Sequence, residues 1–201
     1  MLAVAVNGSP HKKGNTYDLL NLALKPLQQA GWETKILQLG GTDIKPCSAC
    51  FGCYKKKNNS CVLPHDSFHD IMPELLKADA MLLGCPTYFA NITGEMKCLI
   101  DRVGLVSMAN NGLLRAKIGA AVVPARRAGG LVAVDAINRL FLGSGVIVPG
   151  STYWNVAFGL APGQALQDKE GTDNISHLGQ AIAWLGQAIT PHRESFPPPL
   201  A

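Results

Sequence analysis

Leu2-Ala3-Val4-Ala5-Val6-Asn7-Gly8-Ser9-Pro10-His11-Lys12-Lys13-Gly14-Asn15-Thr16 is the stretch whose reading decides the fold. An apolar run ends abruptly at Asn7-Gly8-Ser9-Pro10, and helical spacing begins near Asn15-Thr16. A short continuous apolar run bounded by turn residues reads as a strand buried on both faces. The loop after it gathers hydroxyls, an amide and backbone N–H groups at the start of a helix. Such a terminus favours an anion, because unpaired N–H groups and the helix dipole both attract negative charge. The loop lacks the Gly-x-Gly-x-x-Gly dinucleotide pattern, and Lys13-Gly14 lacks the flanking residues of a nucleotide P-loop. By itself the stretch fits either an anion cradle or an ordinary strand-to-helix turn.

The rest of the chain extends this beginning. A length of 201 residues suits one α/β domain with a sizeable core. A hydrophobic fraction of 47% with 16% charged residues argues against disorder. The net charge of +4 is too small for a nucleic-acid footprint, although Lys55-Lys56-Lys57 concentrates charge at one place. The first apolar run is too short for a secretory signal, and no stretch is long enough to span a bilayer. The expectation is a cytoplasmic protein with no membrane partner. Its six cysteines are then expected to be reduced, metal-bound or catalytic rather than disulfide-bonded.

Leu20, Ala23, Leu24 and Leu27 give the first helix, which Pro26 should bend or shorten. Glu33 to Leu39 reads as a second strand, and Pro46 to Pro64 as a cysteine-rich loop. Asp66-Ser67 caps a helix to about Lys77, and Ala80 to Cys85 is a third strand stopped by Pro86. A helix over Gly94–Val106 follows, then a strand over Ile118–Val123 and a helix from Gly129-Gly130 to about Leu142. Val146-Ile147-Val148 is the expected fifth strand, and Thr172-Asp173 the expected cap of the last helix. Asp101-Arg102 reads as a structural pair, Ser151–Gly171 carries no readable element, and the tail from Ser195 is expected to be extended.

Alternating strands and helices imply a parallel sheet with right-handed crossovers. Five strands suit the order 2-1-3-4-5, whose switch point opens between strands one and three. Asn7–Thr16, Pro86–Asn91 and Pro124–Gly130 then meet at one edge.

Together these loops resemble the NAD(P)H-dependent FMN reductase and flavodoxin-like superfamily. The matching residues are Gly8-Ser9-Pro10 with Gly14-Asn15-Thr16, then Pro86-Thr87-Tyr88-Phe89-Ala90-Asn91-Ile92-Thr93-Gly94, Met96-Lys97 and Ile100-Asp101-Arg102. The resemblance implies a flavodoxin-like three-layer α/β sandwich over residues 1–191, with an insertion at 46–64 and a Pro-rich tail at 192–201. It also implies that Ser9, Gly14, Asn15 and Thr16 hold the FMN phosphate, with His11 at the loop surface in reach of it. Pro86, Thr87, Tyr88, Phe89 and Asn91 would face the flavin ring, while Arg126 and Gly129 complete its pocket.

Cys47-x-x-Cys50-x-x-Cys53 followed by Cys61 is the strongest chemical signal in the chain. Thiolates at this spacing can wrap three corners of a cubane while a loop returns the fourth. Zinc sites more often use two separated pairs, and redox-active thiols are the other alternative. In a flavodoxin-like chain the motif resembles the iron–sulfur flavoprotein family, which implies FMN with a [4Fe–4S] cluster on Cys47, Cys50, Cys53 and Cys61.

The function this implies is an FMN-dependent oxidoreductase exchanging electrons between flavin and cluster. NAD(P)H is the co-substrate, or ferredoxin the donor, and the assembly is a homodimer or homotetramer. No protein acid or base is required, so no catalytic residue is assigned. Two rival readings are a cluster-free NAD(P)H-dependent FMN, quinone or nitro-compound reductase and a non-enzymatic flavodoxin-like electron carrier. Lys55-Lys56-Lys57 is a solvated loop, a charge balance for the cluster, or a dock for an acidic carrier.

Overall fold

A computed structural model describes residues 1–198. Its centre is a five-stranded parallel sheet in the order β2-β1-β3-β4-β5. The strands are β1 (Leu2–Asn7), β2 (Glu33–Gln38), β3 (Ala80–Gly84), β4 (Ile118–Ala125) and β5 (Val156–Phe158). The helices are α1 (Asn15–Gln29), α2 (Gly52–Lys56), α3 (Ser67–Lys77), α4 (Gly94–Ala109), α5 (Gly130–Gly143) and α6 (Lys169–Ile189). This is the flavodoxin-like topology expected from the sequence.

The period-two alternation of the strands divides the core into two layers. Ala3, Ala5, Ala80, Leu82, Ala120 and Val122 face α1 and α6. Val4, Val6, Met81, Leu83, Ala121 and Val123 face α3, α4 and α5. Leu19, Leu20, Leu24 and Leu27 of α1 are fully buried, each contributing roughly 1.5–3 kcal/mol. With β2 on one side of β1 and β3 on the other, the carboxyl ends of β1 and β3 open a crevice.

Some expectations need correction. The fifth strand is Val156–Phe158, paired with Val123–Ala125, and not Val146-Ile147-Val148. Ile147 makes only an isolated bridge to Ile118, after which Pro149-Gly150 leads the chain away. The last helix is capped by Asp168, whose carboxylate accepts from the Gly171 N–H at 3.1 Å, and not by Thr172-Asp173. Pro26 does not shorten α1, which runs on to Gln29. Asp101 and Arg102 do not pair with each other: Asp101 accepts from Lys97, and Arg102 pairs with Asp66.

A 3-10 turn over Thr190–Ser195, held by Arg193 on Asp79, includes Ser195, so the extended backbone of the tail begins one residue later, at Phe196. Residues 199–201 of the tail lie outside the described residues. No helix among the described residues is long and apolar enough to cross a membrane.

Candidate functional site

The crevice holds a cleft of about 330 Å³, within the range of small-molecule sites. Ser9, His11, Gly14, Asn15 and Thr16 line one side, while Pro86, Thr87, Tyr88 and Arg126 line the other. The first loop is stitched in place by its own polar groups. Asn7 Oδ1 accepts from the Ser9 N–H at 3.1 Å, and Ser9 Oγ accepts from the His11 N–H at 3.2 Å. Gln38 donates to the Ser9 carbonyl at 2.7 Å, and Thr93 Oγ1 donates to the Gly8 carbonyl at 3.2 Å. Gly14, the N-cap of α1, offers no side-chain acceptor to the first turn of the helix. The terminus therefore presents free N–H donors to the cleft, which an FMN phosphate fits.

Asn15 has a second duty. Its Nδ2 donates to the Ala161 carbonyl at 3.0 Å, and its Oδ1 accepts from the Ala165 N–H at 3.1 Å. The carboxamide expected to hold phosphate thus ties down the loop whose Gly159, Leu160 and Pro162 form a further wall. Sequence reading missed that wall. Asn15 retains its backbone N–H for an anion.

Phe89, Asn91 and Gly129 do not line the cleft. Tyr88 and Asn91 exchange both backbone hydrogen bonds, at 2.8 and 3.1 Å, with Phe89 and Ala90 at φ 46° and 58°. This is a type I′ turn, which puts Phe89 at a fully exposed tip. Asn91 Oδ1 accepts from the Ile92 N–H at 2.8 Å. Gly129, at φ 86°, packs on the turn so closely that an added Cβ would lie 2.3 Å from Ala90 Cα. It supports the Tyr88–Asn91 turn from outside the cleft lining.

Cys47, Cys50, Cys53 and Cys61 line a second cavity, against Arg102, Leu105 and Val106 of α4. Ala49, Phe51, Lys57 and Asn59 all have φ between 45° and 60°, so the chain turns sharply between the cysteines. Such residues cluster where a site needs a particular backbone path. Gly52 closes the loop onto Val62, whose Cγ2 would lie 2.2 Å from an added Cβ. Among the described residues no three His, Cys, Asp or Glu side chains converge tightly enough for a single ion. Four thiols lining one small cavity are the donor set of a cluster, whose own inorganic atoms would join thiols too far apart for a single ion.

The thiols differ in their surroundings. The Gly52 N–H, the Ser48 side chain and Lys55 lower the exposed Cys50 thiol. Burial pushes the Cys53 thiol up. The carboxylate of Asp66, the N-cap of α3, accepts from the Lys45 N–H at 2.9 Å and from Arg102 Nη1 at 2.5 Å. Burial would raise this carboxyl, but the Arg102 guanidinium and the Lys45 N–H hold it below the usual range. His69 Nε2 lies 3.1 Å from the Cys61 carbonyl, which only accepts and so calls for a proton on Nε2, while Nδ1 lies 3.2 Å from the Asp66 backbone nitrogen and 3.1 Å from Asp66 Oδ1. Arg102 Nε and Nη2 have no acceptor among the described residues. Unpaired cationic donors beside four thiols suit a negatively charged thiolate cluster. Cys85 and Cys98 stand apart: burial pushes Cys85 up to about 11, and its sulfur accepts from the Thr93 N–H at 3.2 Å.

One helix serves both places. The N-cap of α4, Thr93, bonds to Gly8 of the first loop, and a later turn carries Arg102 against the cysteines.

Comparison with known proteins agrees. The NADPH-dependent FMN reductase family model matches residues 1–161. An iron–sulfur flavoprotein of Methanocaldococcus jannaschii is 32% identical over 190 residues, covering 91% of this chain and 96% of that protein. One from Archaeoglobus fulgidus is 29% identical over 206 residues, covering 97% and 100%. A flavodoxin structure from the domain Archaea aligns with a TM-score of 0.60 at 16% identity, over 93% of this chain and 99% of that one, which supports the fold alone. On the match over residues 1–161 and the 32% identity across nearly the whole chain, this protein belongs to the NADPH-dependent FMN reductase family and, within it, to the iron–sulfur flavoproteins.

Proposed function

We propose that the chain binds FMN in the β1–β3 cleft and a [4Fe–4S] cluster on Cys47, Cys50, Cys53 and Cys61, and acts as an electron-transfer oxidoreductase between them. The observation that carries this reading is the gathering of the four cysteines around one cavity with an incompletely paired guanidinium in its wall. Together the two groups supply the conversion of hydride-level reduction into single-electron steps.

The chain's own residues bind and orient. The first turn of α1, with Ser9 and Thr16, receives the phosphate, and Asn15 fixes the wall at Gly159–Pro162. Tyr88, half-exposed at the rim, would serve as a wall for the flavin ring. Arg126 supplies positive charge for the phosphates of NAD(P)H at the cleft mouth. Lys55, Lys56 and Lys57 are exposed beside the cysteines and give an acidic carrier such as ferredoxin a dock.

We place the protein in the cytoplasm, a reading supported by six cysteines of which none is disulfide-bonded among the described residues. A homodimer or homotetramer is supported by the groove between α4 and α5 and by exposed Met108 and Leu142 on those helices.

Anaerobic stopped-flow mixing tests the function. Wild-type protein should bleach its flavin within seconds on NADH, NADPH or reduced ferredoxin and pass electrons to a one-electron acceptor. Cys50→Ala should keep the flavin bands while losing iron and most of the one-electron transfer. Undiminished one-electron transfer in Cys50→Ala would instead identify a cluster-free reductase.

A further inference from the structure

Arg102 is a cation with no contact with water, and only part of it is paired. Its side chain and that of Asp66 are both 0% exposed. Nη1 is committed to Asp66 Oδ2 at 2.5 Å and to the Lys45 carbonyl at 3.2 Å. The guanidinium carbon lies 4.2 Å from the centroid of the Phe68 ring. Those contacts fix the orientation of the planar group. Nε and Nη2, which carry one and two N–H groups, have no acceptor among the described residues. A buried charged donor left unpaired keeps its full desolvation cost, so a site built this way calls for an acceptor.

The available space lies on the cysteine side. Arg102 lines the cavity with all four thiols, whereas Asp66 does not. The buried pair therefore presents its cationic end to the cavity and keeps its anionic end behind.

We propose that Arg102 is the charge-balancing positioning residue of the cluster site, its Nε and Nη2 edge donating hydrogen bonds to the sulfur of Cys61 and to the cluster's sulfides. The inference rests on the cluster reading above. Positive charge and hydrogen bonds to sulfur stabilise the more negative, reduced form and so raise the reduction potential. Lysine cannot substitute, because a single ammonium that pairs with Asp66 leaves no second donor edge for the cavity. Asp66 and Lys45 act through Arg102 by holding its other edge.

The test is Arg102→Lys, which keeps the charge and a partner for Asp66. Wild-type and variant proteins are purified without oxygen, assayed for iron, and titrated with dithionite while the reduced cluster is followed by electron paramagnetic resonance. The expected result is a lower potential in the variant, with at least a tenfold change in the reduced-to-oxidised ratio at fixed ambient potential, about 59 mV for a one-electron couple. An unchanged potential overturns the inference and leaves the cluster reading intact. Absence of iron from the wild-type protein overturns both.

Should the variant lose its iron, the melting temperature of the cluster-free protein decides. A wild-type value supports a direct role at the cluster, and a lowered one overturns it in favour of a purely structural arginine.

Discussion

Replacing Asp66 with asparagine removes one charge from behind the cysteine loop and keeps the side-chain shape. With its amide oxygen in the place of Oδ1, asparagine still accepts from the Phe68 N–H, at 3.3 Å in the parent, so the α3 cap survives. The amide nitrogen in the place of Oδ2 loses the bonds from the Lys45 N–H and Arg102. Arg102 then loses its counter-charge where water cannot replace it. Removing one partner of a buried pair costs roughly 3–5 kcal/mol. An exposed pair such as Lys97–Asp101 is worth only about 0–1 kcal/mol. With a urea slope of about 2–3 kcal/mol/M, the unfolding midpoint of the cluster-free protein should fall by roughly 1–2.5 M. The dependence on pH has a definite sign. Asp66 is held below the usual carboxylate range in the folded chain. Its contribution is therefore present above the unfolded pKa of about 3.9 and lost as pH falls through the lower folded value. The gap between wild type and variant should stay constant from about pH 8 to about pH 5 and close below about pH 4. Urea titrations of the cluster-free proteins, followed by near-ultraviolet circular dichroism, give both quantities. A loss under about 1 kcal/mol, or a gap that already narrows between about pH 7 and pH 5, would refute the reasoning.

Other perturbations reach each site separately. Ser9→Asp places a carboxylate beside the α1 terminus and should weaken FMN binding at least tenfold, or about 1.4 kcal/mol; unchanged flavin occupancy would remove the phosphate-loop assignment. Gly52→Ala forces a Cβ to within 2.2 Å of Val62, so it should lower iron retention and leave flavin occupancy alone. Adding Val62→Ala should restore iron, and a Gly52→Ala protein with full iron would show that the loop closure is dispensable. Neutralising Lys55, Lys56 and Lys57 should slow reduction by an acidic donor mainly at low salt, and equal rates at every ionic strength would dismiss the docking role.

The sheet order was legible because β1 and β3 are continuous apolar runs ended by Asn7 and Pro86, and β4 is another, although it runs on through Pro124 to Ala125 instead of stopping at Val123. The fifth strand was not. Val146-Ile147-Val148 has the better strand composition and does touch β4 at Ile118, but the chain leaves at Pro149-Gly150. A three-residue segment then takes the edge, too short to show a period. Asp168 was hidden because α6 runs through Gly171, a residue of low helix propensity.

In the cleft, the nine lining residues named from sequence follow from local loop patterns. The duty of Asn15 depends on partners about 150 positions away, which no local pattern reveals. Phe89 and Gly129 fall outside the cleft lining for a similar reason, since a type I′ turn at Phe89-Ala90 leaves the Phe89 side chain exposed and packs Gly129 against Ala90. The cysteine spacing was plain. Arg102 was not, because Asp101 stands beside it in sequence whereas its partner Asp66 lies 36 positions away.

Cofactor content per chain tests the central claim most directly. Protein purified without oxygen should contain one FMN with about four irons and four sulfides, and show flavin bands over a broad iron–sulfur absorbance. Flavin without iron, even after anaerobic reconstitution with iron and sulfide, would contradict it.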